Sequence, residues 1–198
     1  MKKSFIAMAV VVMALVFGGC AKVPQVELDA TNAAIEKAKV AEANVYLQPA
    51  FTAIMDSLNV INAEIEANKG KLFKNFNDVK VKLAALEVQA NELVVSTDAK
   101  KESIKQEVNA VLAELQTLAT ENAALVENAP KGKEGKAAIE AIKGELIVID
   151  GATAEVTQLL QAGKLLAAQS KAKATYDKAL SINQELKAVV EKYNTKRK

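Results

Sequence analysis

Residues 47–93, LQPAFTAIMDSLNVINAEIEANKGKLFKNFNDVKVKLAALEVQANEL, decide the fold. Leu47, Phe51, Ile54, Leu58, Ile61 and Ile65 alternate steps of four and three, which brings them onto one stripe of an α-helix. Pro49 falls in the first turn of that helix, where its missing N–H is not needed. Asn68-Lys69-Gly70-Lys71 ends the pattern: Gly70 suits a left-handed cap, and Lys69 faces the carbonyl end of the helix dipole. After the turn Leu72, Phe76, Val79, Leu83, Leu86, Ala90 and Leu93 repeat the spacing. Two apolar stripes joined by so short a turn predict an antiparallel hairpin, since each leaves water by packing on the other.

Outward from this hairpin the same logic continues. Upstream, Ala30, Ala34, Ala38, Ala41 and Val45 give a helix from Val26 onward a narrow face that a neighbour can approach closely. Downstream, Ile104, Val108, Val111, Leu115, Leu118 and Leu125 form a third stripe, which reads as shifted from the preceding register. Either the helix stops near Ser96, Thr97 and Asp98, which are good caps, or it runs on with a stutter; the break is the expectation favoured. Asn128-Ala129-Pro130-Lys131-Gly132-Lys133-Glu134-Gly135 is the clearest loop, with a proline and two glycines close together. Beyond it Ile139, Ile142, Leu146, Ile149, Thr153, Val156 and Leu160 make a seam ended by Gly163. Ala141, Gly144, Val148 and Gly151 form a second small or apolar face on that helix, which predicts it to be the most buried. The last helix carries Leu165, Ala168, Ala172, Ala179, Ile182, Leu186, Val189 and Tyr193 on one face. The expected fold is all-α: antiparallel helical hairpins in an elongated bundle of about six helices.

Composition narrows the chemistry. There is no histidine and one cysteine among 198 residues, so Ser-His-Asp and Cys-His sites and the commonest metal ligands are missing. Carboxylates and lysines are scattered over helical surfaces without an acid/base pair, so no catalytic residue and no metal or cofactor site is predicted. Lys and Arg number 26 against 24 Asp and Glu, too even a balance for nucleic-acid binding. The charge is segregated, however. Glu87, Glu92, Asp98, Glu102, Glu107, Glu114, Glu121 and Glu127 make the middle acidic, while Lys69, Lys71, Lys74, Lys80 and Lys82 surround the first turn. Tyr46, Tyr176 and Tyr193 are too isolated for a stacking platform and read as half-buried packing residues.

Met1 to Cys20 assigns a compartment. Lys2 and Lys3 form a positive n-region, Phe5 to Phe17 is an unbroken apolar run shorter than a membrane span, and Val16-Phe17-Gly18-Gly19-Cys20 closes it. This resembles the bacterial lipobox, with Phe17 standing where that family usually has leucine. The resemblance implies removal of residues 1–19 and lipidation of Cys20 by a diacylglyceryl group and an amide-linked chain, enough for stable anchoring. Ala21 is not the aspartate associated with inner-membrane retention, so the expected location is the periplasmic face of the outer membrane.

The two halves echo each other faintly: Gly70-Lys71-Leu72 and Gly163-Lys164-Leu165 open segments that align without gaps as far as Leu93 and Leu186. Tyr46-Leu47-Gln48-Pro49 and Gly70-Lys71-Leu72-Phe73 resemble the corner and turn of bacterial envelope lipoproteins with a tetratricopeptide-like helical domain. That family implies a fold and a compartment and brings no catalytic residue. The basic tail is similar in placement to the end of the murein lipoprotein, which implies contact of Lys196, Arg197 and Lys198 with peptidoglycan or another anionic surface.

The expected organisation is a signal peptide at 1–19, a lipidated N-terminus and spacer at 20–25, a first helical half at 26–128, a loop at 129–136, a second half at 137–193 and a tail at 194–198. The leading functional expectation is a non-enzymatic, lipid-anchored scaffold or interaction module whose partner is the membrane, an envelope protein or peptidoglycan. Its rivals are a carrier or chaperone-like lipoprotein that shelters an apolar ligand or client beside the small faces of Ala30 to Val45 and Ala141 to Gly151, and a spacer tethered to peptidoglycan through the basic C-terminus, with Lys198 joined to the wall.

Overall fold

The computed structural model describes residues 22–129 and 133–196, with the side chains of 133–135, 194 and 196 outside that description. Six helices and no strand occur among the described residues: α1 (Gln25–Val40), α2 (Ala43–Tyr46), α3 (Gln48–Lys69), α4 (Asn77–Glu127), α5 (Lys133–Gln161) and α6 (Leu165–Lys196). The fold is an all-α helical bundle. Two compact units divide it, the first ending at Lys100 and the second beginning at Lys101, so the division falls within α4 and residues 129–136 belong to the second unit.

In the first unit α1, α3 and the opening of α4 enclose one core. Ala34, Ile35 and Ala38 meet Ile54, Leu58, Ile61 and Ile65, and both groups meet Phe76, Val79, Leu83, Leu86, Ala90 and Leu93. A large apolar side chain buried in this way contributes about 1.5–3 kcal/mol. Thr31, also buried, donates its hydroxyl to Glu27 O at 2.8 Å and to Leu83 O at 3.0 Å, so it ties α1 to α4 without leaving a polar atom unpaired. Lys80 to Glu27 at 2.9 Å and Lys82 to Glu64 at 2.5 Å flank α4 on its two sides. Pro49 lies in the first turn of α3, as its missing N–H requires. Between α1 and α2, Glu42 takes the left-handed conformation at φ 68° that a glycine would hold without strain.

Several expectations need correction. Gly70 is right-handed at φ −78°, and the chain leaves α3 through Lys71 N–H donating to Asn68 O at 3.2 Å. Helix α4 starts only at Asn77, whose N–H is taken by Asn75 Oδ1 at 2.9 Å. Leu72 therefore precedes the helix and is 91% exposed instead of joining the stripe. Val45 too is exposed, leaving the narrow face of α1 to Ala34 and Ala38.

The break expected at Ser96 to Glu102 does not occur, because α4 is continuous from Asn77 to Glu127. The shift of register is absorbed without a break: Leu93, Thr97 and Lys101 make two successive steps of four before Ile104 and Val108 resume steps of three and four, a stutter that the helix runs through, with two of its positions polar. Thr97 is fully buried and satisfies its hydroxyl on Leu93 O at 2.7 Å.

In the second unit, Leu115 and Leu118 of α4 form a core with Ile139, Ile142 and Ile149 of α5 and Ala179, Ile182 and Leu186 of α6. Helix α5 begins at Lys133, so its first turn takes in part of the expected loop, whose residues 130–132 lie outside the described residues. It ends in a Schellman motif: Gly163 stands at φ +72°, its N–H donates to Leu160 O at 3.1 Å, and Lys164 N–H donates to Leu159 O at 2.9 Å. Helix α6 runs to Lys196, two residues beyond the expected start of the tail. The faint echo has no local counterpart: Gly163 is left-handed where Gly70 is not, and Leu165 is 3% exposed where Leu72 lies in solvent.

Helix α5 is not the most buried. Its seam packs as expected, but Ala141, Gly144, Val148 and Gly151 face outward with Ile147, and a Cβ added at either glycine meets nothing within 4 Å. A small-residue face packs only where the chain supplies a partner, and here both neighbours use the opposite side.

Candidate functional site

Two adjoining depressions run along the outside of the α3–α4 hairpin in the first unit. One, of about 440 Å³, is lined by Asp56, Ser57, Val60, Lys82, Ala85 and Gln89 over a floor of Ile61 and Leu86. The next shares Ser57 and Gln89 and continues over Ile54 and Leu93 between Ala50, Ala53, Glu92 and Ser96. The groove exists because α3 presents Ala50, Ala53 and Ser57 and α4 presents Ala85 along one line, so short side chains leave the floor uncovered. Both parts open to solvent.

Two of its polar groups are already engaged. Ser57 Oγ donates to Ala53 O at 2.8 Å, and Lys82 Nζ reaches both Glu64 oxygens, at 2.5 and 2.7 Å. Ile54, Ile61, Leu86 and Leu93 give the groove an apolar floor. Among the described residues no three of His, Cys, Asp and Glu gather as metal ligands.

Beside the groove, Val81, Val88 and Val95 repeat every seven residues on the face of α4 that points away from the core, and all three are exposed. Sequence reading passed over them because attention to the strong stripe leaves the opposite face unread. At the head of the same helix, Leu72 and Phe73 stand 91% and 88% exposed between Lys71 and Lys74.

The polar residues inside the second unit are structural and were also missed. Asn183 Nδ2 donates to Asn122 Oδ1 at 2.9 Å, and Asn122 Nδ2 donates to Ala179 O at 3.4 Å. Their signal was a gap: Leu118 and Leu125 are seven apart, and Asn122 fills the seam position between them. Thr175 closes on Lys171 O at 2.8 Å. No buried side-chain nitrogen or oxygen among the described residues lacks a partner.

Titration shifts mark surface pairs. The hydrogen bond from Lys80 holds the Glu27 carboxyl below its usual range; Lys187 does the same for Glu121, and Lys143 for Glu140. Tyr176 is pushed up, first by the charge of Glu114 and then by loss of water around the ring. Exposed pairs of this kind carry little stability each.

Of the residues singled out in the sequence, Cys20 and the segment 1–19 lie outside the described residues, as do Arg197 and Lys198. The backbone of Lys196 is the last residue of α6. No helix among the described residues is long and apolar enough to cross a membrane. Comparison with protein-family models, with curated proteins and with solved structures finds no match to this chain.

Proposed function

We propose that this chain is a lipid-anchored, non-enzymatic helical scaffold or protein-interaction module of the bacterial cell envelope, held by acylated Cys20 on the periplasmic side of the outer membrane. The observation that supports this most is the division of its apolar surface. The seams are consumed within the two cores, and a separate row, Val81, Val88 and Val95, is turned outward beside an open groove. Such a row at heptad spacing suits a helix of a neighbouring envelope protein. Lys196, Arg197 and Lys198 at the far end of the chain add contact with anionic wall polymer in this reading.

The carrier reading draws less support. Ligand sites bury about 70–90% of a small molecule, whereas the groove is open and the small face of α5 encloses nothing. The test is photocrosslinking in intact cells with a photoreactive amino acid at Val81, Val88 or Val95, and at Lys37 on the outside of α1 as a control. A discrete adduct at the valine positions and none at Lys37 is the expected result. No adduct at any of the three overturns the reading.

A further inference from the structure

We infer that the Leu72–Phe73 loop is a membrane-contact site that inserts into an anionic lipid surface and, together with the acyl anchor, fixes which end of the first unit faces the bilayer. Leu72 and Phe73 are adjacent, large and almost wholly in solvent, at the tip where α3 turns into α4. A chain that buries Phe76, three residues later, does not leave such a pair in water for want of a core. The tip is also uniformly basic. Lys69, Lys71 and Lys74 surround the pair, and no carboxylate occurs between Glu66 and Asp78. Lys69 is held by Glu66 at 2.6 Å, so Lys71 and Lys74 are the cations assigned to the lipid headgroups. An acidic middle and a basic, greasy tip on one chain argue for a negatively charged surface at the tip. Apolar side chains between lysines fit a headgroup layer, where the rings and methyls reach the acyl boundary and the ammonium groups stay with phosphate.

The position of the tip carries the inference further. Glu27 of α1 pairs with Lys80 of α4, and Thr31 of α1 reaches Leu83 O, so the first turns of α1 and α4 lie side by side. Pro24 is fully buried, and Val23 packs against the core that includes Phe76. The chain therefore comes into α1 at the same end of the unit as the 70–76 loop. Cys20 lies four residues before Pro24, a reach of at most about 14 Å. The orientation rests on the lipid-anchor reading, for it needs Cys20 in the membrane; the contact between tip and lipid does not.

The chain has no tryptophan, so Phe73→Trp makes a single reporter at an exposed site that the fold does not use. The protein purified from its envelope is mixed with vesicles of phosphatidylcholine alone or with phosphatidylglycerol, floated, and read by tryptophan emission and quenching by brominated lipid. The expected result is blue-shifted, quenched emission with the anionic vesicles. Adding Lys71→Gln and Lys74→Gln should lower the ratio of inserted to free tip about 25-fold, at about fivefold per lysine near an anionic surface. Emission that stays at its water-exposed position with both vesicle types overturns the inference, whether or not the chain floats. It is equally overturned if the tip is shielded only on adding a purified envelope protein, which makes it a protein-docking loop. A chain that carries no acyl group and still shows quenching with anionic vesicles upholds the loop and removes the anchor.

Discussion

The buried Asn122–Asn183 pair offers the sharpest test of how the second unit is specified. Both side chains are almost fully excluded from solvent, 1% and 2% exposed, and they join α4 to α6 through the 2.9 Å bond between them. One further contact comes from Asn122 Nδ2 to Ala179 O at 3.4 Å. Asn122→Ala strands one N–H of Asn183 in an apolar neighbourhood of Leu118, Ile182 and Leu186. A stranded buried donor costs about 1–3 kcal/mol, and about 2 kcal/mol lowers the melting temperature of a chain this size by about 4–8 °C. Replacing both by leucine removes the stranded group, and such apolar replacements are often neutral or stabilising. The cycle of Asn122→Leu, Asn183→Leu and the double variant should thus be strongly non-additive, with a coupling of about 1–2 kcal/mol. Urea and thermal unfolding followed by far-UV circular dichroism measure all four corners. Single substitutions costing under about 0.5 kcal/mol, or costs that simply add in the double variant, would refute the idea that the pair holds α6 in register on α4.

Three further outcomes follow from the same packing. Glu27, Glu121 and Glu140 have folded pKa values below their ordinary 4.5, so the stability from their lysine partners is present above that value and lost as pH falls through the lowered ones; melting temperature against pH should drop on the acid side, less steeply in Glu27→Gln and in high salt. Gly163→Ala puts a Cβ on a left-handed residue with open space around it, so strain alone acts and thermal unfolding should show a loss of about 1–2 kcal/mol. Gly144→Ala and Gly151→Ala sit in right-handed helix with nothing within 4 Å, so each should raise stability by about 0.5–1 kcal/mol in the same measurement.

The seams were legible in the sequence because Leu, Ile and Val at steps of four and three have one physical explanation in a chain of this composition. What misled was polarity at seam positions. Thr97 and Lys101, polar residues at a stutter in the seam, read as a helix break, although a hydroxyl that bonds the carbonyl four residues back sits in a buried helix at little cost. Leu72 misled in the opposite direction, since it stands at the right spacing from Phe76 but precedes the Asn75 turn that starts α4. The second face of α5 shows that apolar residues mark where packing is permitted, while the number of neighbours decides where it happens. Gly70 and Gly163 look alike in sequence, and only the bonds closing each helix separate a left-handed cap from a plain turn. The groove beside α3 could not be read at all, because it arises from how short side chains on two helices line up across their contact. Asn122 was legible in principle, as the one gap in a stripe otherwise complete.

The proposal as a whole turns on how the chain is held at its start. Intact-mass and peptide mass spectrometry of the protein taken from its own envelope should find a mature form beginning at Cys20 and heavier by a thioether-linked diacylglyceryl group and an amide-linked acyl chain. A form that retains residues 1–19 and carries no fatty acid would contradict it.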